Sequence, residues 1–190
     1  MEGHGEVAAV PVLLRRLGEW IAPYKYLDIG NPIRVSRDKF LNSAVEFSRI
    51  VQLAAAQALP NGWVIVILDA DDDCPVQLQN SISSRINNLG IPINPSVIIP
   101  NREFESWFIA SAEKLHGCRG FSLDPDMTLS DPDSPRNAKG WIGKQMAGGY
   151  HEVTDQPAFC AQLSLETSFE KSRSFQKMVN ESIRMFRNIE

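Results

Sequence analysis

The run Trp63-Val-Ile-Val-Ile-Leu68, an unbroken series of apolar and mostly β-branched residues that stops at Asp69-Ala-Asp-Asp-Asp73, narrows the fold more than any other feature. A strand with one wet face alternates polar and apolar residues. A run with no polar member is covered on both faces, which is the habit of parallel sheets. Pro95-Ser-Val-Ile-Ile99 predicts a second buried strand. Between the two, Cys74-Pro75 opens a helix predicted to reach about Leu89, with Pro75 at the first position, where its missing N–H has no partner to lose. Strands alternating with helices predict an α/β fold, a parallel and doubly wound sheet flanked by helices.

The remaining segments supply the cover. Val7, Val10, Leu14, Leu17 and Ile21 recur at helical spacing, with Pro11 in the first turn or at a bend. A second amphipathic helix is predicted from about Asp38 to Leu59, ended by Pro60-Asn61-Gly62, and a third from Arg102 to Leu115 with Phe104, Phe108 and Leu115 on one side. Gly117 to Pro135, rich in Asp, Pro and Ser, reads as a long surface loop. A short helix near Ala138 to Met146, a connector through Tyr150 and Gln156, and a last helix from about Ser174 to Phe186 complete the chain. The stripe of that last helix, Phe175, Met178, Val179, Ile183 and Phe186, reads as core. The organisation expected is an α/β core over residues 1–116 and a loop and helical extension over 117–190 packed on the same domain. A strand is also expected before Glu2, because a glycine-flanked loop entering a helix normally follows one. The sequence starts at Met1, so that strand either lies upstream or is missing from the sheet.

With 190 residues and 43% hydrophobic content the chain can bury one sizeable core. A net charge of −4 and a pI near 5.4 exclude a globally basic nucleic-acid coat protein and leave a local basic groove open. Three widely spaced cysteines, Cys74, Cys118 and Cys160, suggest neither a disulfide framework nor a zinc site, so a reducing cytoplasm is expected. No apolar run approaches the roughly 20 residues that span a bilayer, so no membrane association is expected.

The chemistry is concentrated in two acidic segments. In Glu2-Gly-His-Gly-Glu6, small residues let the backbone turn and present both carboxylates to one side. Asp69 and Asp71 follow a buried strand, and period-two alternation places them on one side if the extended conformation persists. Open α/β sheets build their sites at the carboxyl ends of strands, so the four acids are expected to converge. Like charges at close range and burial both disfavour full ionisation. A hard divalent cation, Mg²⁺ or Mn²⁺, relieves that conflict with oxygen ligands alone. Taken alone, the Asp69–Asp73 run is also explained as a solvated acidic turn before a helix N-terminus.

The E-G-x-x-E pattern before a helix, with D-x-D after a later strand, resembles the TOPRIM fold of topoisomerases, bacterial primases and the OLD-family nucleases. More closely, the chain is similar to a family of uncharacterised bacterial TOPRIM-like proteins known only as a domain of unknown function. That resemblance extends over Leu68-Asp-Ala-Asp-Asp-Asp-Cys-Pro75, Arg102-Glu-Phe-Glu-Ser-Trp-Phe108, Ala138-Lys-Gly-Trp141 and the Tyr150 to Gln156 connector. It implies a general acid or base role and metal ligation for Glu2, and metal ligation for Asp69 and Asp71. It also implies ligation by Glu6, as in the two-metal pattern of OLD-type sites.

Glu105, just past the second strand, is added as a fifth metal ligand on position, although a first-turn glutamate also suits the helix dipole. Lys139 is the first choice among basic residues for stabilising a charged transition state, ahead of Lys144, Lys171 and Arg173, all of which are also explained as solvated surface. His4 is left out of the metal set because hard cations prefer oxygen. The activity expected is metal-dependent phosphodiester hydrolysis on DNA or RNA. The sequence holds no G-x-x-x-x-G-K-[ST] loop, so any ATPase would be a separate partner. The competing expectation is a non-catalytic TOPRIM-like module that holds a metal or docks a partner.

Overall fold

In the computed structural model of the chain, residues 1–58, 62–124 and 131–188 are described. The central unit is the expected strand, helix and strand: β1 (Trp63–Ile67), a crossover helix (Pro75–Asn88) and β2 (Asn94–Ile98). The strands pair in parallel, Trp63 opposite Asn94 through Ile67 opposite Ile98. Hydrogen bonds from Leu68 N to Ile98 O and from Ala70 N to Pro100 O carry the pairing beyond both strands.

Helices make up the rest. In chain order they are α1 (His4–Ile21), α2 (Arg37–Asn42), α3 (Ala44–Ala58), α4 (the crossover, Pro75–Asn88), α5 (Ser106–Ala110), α6 (Ala112–Leu115), α7 (Ala138–Lys144), α8 (Glu152–Gln162), α9 (Leu165–Lys171) and α10 (Arg173–Asn188). Among the described residues none is long and apolar enough to cross a membrane. The fold is therefore mixed α/β and mostly helical. In place of the wide doubly wound sheet that was expected, the described residues form a sheet of two strands.

Both strands are covered on two faces, which accounts for the missing polar alternation. Ile67 and Ile98 point into one core, which α1 and α5 to α10 complete. Its centre is aromatic: Trp107 meets Phe104 and Phe175 at ring separations of 4.8 and 5.3 Å, and Phe108 meets Phe159 edge-on at 5.4 Å. Val66, Leu68, Val97 and Ile99 point into the other core, filled by Phe40, Phe47, Ile50 and Val51 of α2 and α3 and by Ile82 and Ile86 of α4. Residues on both sides of position 116 build the first core, since Leu13 and Leu17 lie in it with Phe121, Ile142, Phe159 and Val179.

Several boundaries differ from the periodicity. The helix expected from Asp38 to Leu59 is two, parted at Ser43, and Leu59 to Asn61 lie outside the described residues. The Arg102 to Leu115 helix starts at Ser106 and breaks at Ser111, whose φ of −120° is not helical. Pro11 sits inside α1 rather than in its first turn, because the helix starts at His4. The stretch taken as a surface loop holds buried Cys118 and Phe121, the latter bridged to Met146, while residues 125–130 lie outside the described residues. The Tyr150 to Gln156 connector is largely the start of α8.

Candidate functional site

The loops after β1 and β2 leave the sheet side by side. Asp71 N donates to Arg102 O at 2.9 Å, and both residues hold positive φ, 50° and 64°. Non-glycine residues seldom adopt that conformation, and strain of this kind gathers at functional sites. It also ends the extended backbone, so the alternation that was to place Asp69 beside Asp71 fails. Asp69 turns inward, with Oδ1 accepting from Phe104 N at 2.8 Å. Asp71 turns outward to Arg37, its side chain about half exposed.

Glu105 is the most enclosed acid, fully buried at the start of α5. Tyr150 Oη and Gln156 Nε2 donate to its Oε1 at 3.1 and 2.8 Å, while its Oε2 and Gln156 Oε1 are buried without a hydrogen-bond partner. Burial raises the Glu105 carboxyl to about 7, against the pull of Lys139 and of the two side-chain donors. The Tyr150 hydroxyl is held far above its usual range, first by burial and then by Glu105.

Glu6 occupies the first turn of α1, where Oε2 accepts from Glu2 N at 3.2 Å. This is a helix-capping contact. Gly5 lies within the helix, so the tight turn expected of this segment is absent. A Cβ on Gly5 would collide with Gln156 Oε1 and the Glu152 carbonyl oxygen, so the missing side chain is what lets α8 approach α1. Burial raises the carboxyls of Glu2 and Glu6. Asp69 is raised well above the usual range, by burial first and then by Glu6 and Glu105.

Lys139, near the start of α7, is the cation common to these acids. Its Nζ pairs with Glu152 at 3.0 Å, and its charge lowers the carboxyls of Glu2, Glu6, Asp69 and Glu105. Burial opposes the Lys139 charge, but Glu105, Glu152 and Asp69 outweigh it and raise the ammonium above its ordinary value. Asn137 Oδ1 caps α7 by accepting from Gly140 N, and Glu103 Oε2 accepts from Lys139 N. The other basic candidates lie apart from this contact set: Lys171 pairs with Glu113, and the exposed Arg173 opens α10.

Glu2, Glu6, Asp69, Asp71 and Glu105 therefore share one electrostatic neighbourhood. Among the described residues, however, no three His, Cys, Asp or Glu side chains are arranged to hold a metal ion. The acid chemistry still suits a hard cation, because every donor is oxygen and the buried Glu105 Oε2 lacks a partner. Tyr150, Gln156, Glu152 and Arg37 were not picked out as site residues from the sequence. Tyr150 and Gln156 were visible only as part of a recognisable segment, and Arg37 sat unmarked at the end of a turn-rich stretch.

Neither the curated proteins nor the solved structures contain a match to this chain. A family model does match, over residues 1–181, and the chain belongs to that family, the domain of unknown function DUF4276.

Proposed function

We propose that the chain is a divalent-metal-dependent phosphodiester hydrolase of nuclease type that acts on DNA or RNA. One observation carries the reading: the buried Glu105 carboxylate, with Oε2 unpartnered, beside Asp69 and Lys139 where both strands end. An unpartnered buried carboxylate oxygen is costly, and a bound cation would supply its partner and draw the raised carboxyls back down. Glu105, Asp69 and Glu6 would hold Mg²⁺ or Mn²⁺ from the buried side, with Glu2 and Asp71 closing the site from the rim. The ion would activate water and offset charge on the phosphate.

The chain's own residues do the remaining work in this reading. Tyr150 and Gln156 orient Glu105 through their two hydrogen bonds. Glu2, with its raised carboxyl, holds or accepts a proton at the mouth. Lys139 stabilises anionic charge opposite the acids. Arg37, Arg102 and Arg136 ring the exposed Asp71 to Asp73 turn, where phosphate would approach. The TOPRIM-like motifs Glu2-Gly-His-Gly-Glu6 and Asp69-Ala-Asp71 support the same assignment, with any ATPase supplied by a separate partner.

A second reading, a non-catalytic binding module, is favoured by the lack of a ready-made ligand set among the described acids. Calorimetric titration with Mn²⁺ and Mg²⁺, paired with plasmid nicking, separates the two. The hydrolase reading expects binding and nicking by the wild type and a loss of nicking of at least about 100-fold in a folded Asp69→Asn variant. Wild-type protein that binds neither ion and cleaves no nucleic acid, with or without an ATPase partner, leaves the binding module as the answer.

A further inference from the structure

Arg102 and Arg136 reach the same carboxylate from separate segments of the chain. Oδ1 of Asp72 lies 4.0 Å from Arg102 Nη1 and 3.6 Å from Arg136 Nη2. Charge-assisted hydrogen bonds close to about 2.7–2.9 Å, so Asp72 is drawn between the two guanidiniums and bonded to neither. Among the described residues neither guanidinium makes a hydrogen bond. Each is a planar fork of N–H donors that matches the oxygens of a phosphate as well as those of a carboxylate. Arg37 differs, because it is largely covered and already bonds Asp73 at 2.6 Å.

The backbone that carries these side chains is fixed. Asp73 N donates to Ala70 O at 2.9 Å and closes the turn that holds Asp72, while Asp71 N donates to Arg102 O at 2.9 Å. Arg136 directly precedes Asn137, whose side chain caps α7. The charged ends, by contrast, stand in solvent: Asp72 is 89% exposed and Arg136 79%. An ion pair so exposed is worth little and gives way to a better anion. A phosphodiester offers its non-bridging oxygens to both guanidiniums at once, where the one carboxylate oxygen bonds neither.

We propose that Arg102 and Arg136 clamp a backbone phosphate next to the one that is cleaved, with Asp72 as the intramolecular placeholder of that phosphate. The placement rests on the hydrolase reading, in which Asp71, the residue before Asp72, closes the metal site from the rim. The substrate class follows from it. A nucleoside monophosphate has no neighbouring phosphate to fill the clamp, and a strand of DNA or RNA does, so the site takes an internal phosphodiester of a polynucleotide. A strand must displace Asp72 to enter, so Asp72 lowers the affinity for it.

Fluorescence anisotropy with a labelled single-stranded oligonucleotide, in EDTA so that no metal-dependent cleavage occurs, tests the clamp. Asp72→Asn is expected to bind about fivefold tighter than the wild type. Arg102→Ala and Arg136→Ala are each expected to bind more weakly and to flatten the plot of log Kd against log salt by about 0.7. Glu19→Gln makes the same change of charge at the exposed far end of α1 and is expected to leave affinity within about twofold, since salt screens that distance. With both arginines replaced by alanine, Asp72→Asn is expected to gain nothing.

The proposal is overturned if Asp72→Asn binds no more tightly than the wild type, binding by neither included, or if the arginine variants bind as well as the wild type. A gain from Asp72→Asn that survives the loss of both arginines overturns it too, as an effect of net charge. Competition by inorganic phosphate or AMP as strong as that by the unlabelled oligonucleotide, at equal phosphate, overturns the assignment to a strand. Failure of the hydrolase reading shows separately, as a wild type that binds the strand and does not nick plasmid with Mn²⁺.

Discussion

Two groups of carboxylates stand at the carboxyl ends of β1 and β2, and they differ in nearly everything except charge. Glu6 and Glu105 are buried, with Asp69 beside them, and their shared cation, Lys139, is itself half-buried. Asp71, Asp72 and Asp73 stand in solvent and pair with Arg37, Arg102 and Arg136. The inner acids all have raised carboxyls, with burial as the first cause and like charge only the second for Asp69. Acid density alone therefore says little about a site. Burial, which depends on where each acid falls in the fold, is what raises the inner carboxyls.

The largest way to break the contrast is to remove the platform under the inner group. Trp107 follows Glu105 by two residues, is fully buried between Phe104 and Phe175, and donates from Nε1 to Ser174 Oγ at 2.8 Å. Trp107→Ala is expected to cost about 3–5 kcal/mol in urea unfolding, through the cavity it leaves among Phe104 and Phe175 and the lost hydrogen bond to Ser174.

A smaller change sharpens it. Glu105 ionises near 4.5 when the chain is unfolded and near about 7 when it is folded. Between those values the folded state holds a proton that the unfolded state has lost. The stability is therefore fully present below 4.5 and is lost as pH rises through about 7, by roughly 3 kcal/mol in all. Glu105→Gln, whose amide keeps an oxygen for Tyr150 and Gln156 and has no proton to lose, is expected to remove most of that slope and to stabilise the protein at pH 8. Unfolding midpoints from pH 5 to 8 check it, and a slope unchanged in the variant would show that other groups cause it.

The smallest effect belongs to the outer group. Arg37 bonds Asp73 at 2.6 Å and lies 3.3 Å from Asp71, both more than half exposed. Arg37 itself is largely covered, but pairs whose carboxylates stand in solvent are screened and worth little, so Arg37→Ala is expected to cost at most about 1 kcal/mol, and less in high salt. If it costs roughly 3 kcal/mol or more, as removing one partner of a buried pair does, the division into inner and outer groups is wrong.

The buried strands were legible because an unbroken apolar run has few alternatives, and α1, α4 and α10 because their stripes repeat over three turns or more. The start of α8 was not legible. Its first turns bury Asp155 and Gln156, which a periodicity count scores as solvent-facing, and their partners Arg119 and Glu105 are 36 and 51 residues away in sequence. The breaks at Ser43 and Ser111 were equally hidden, since serine is tolerated inside helices as well as between them. Within the site, Glu105 and Lys139 could be picked out by position and charge, while Tyr150 and Gln156 carried no chemical signal until the fold placed them on Glu105.

Sequence by itself determined the two strands, the parallel crossover and the acids that follow each strand, because apolar patterning and chain direction are local properties. Tertiary structure alone decided which of those acids are buried, that Asp69 and Asp71 part company at a left-handed residue, and that Arg102 and Arg136 meet at Asp72. Each of these depends on what distant segments place beside the residue, and solvation, which sets charge state, is a property of that assembled surrounding and not of the residue's neighbours in the chain.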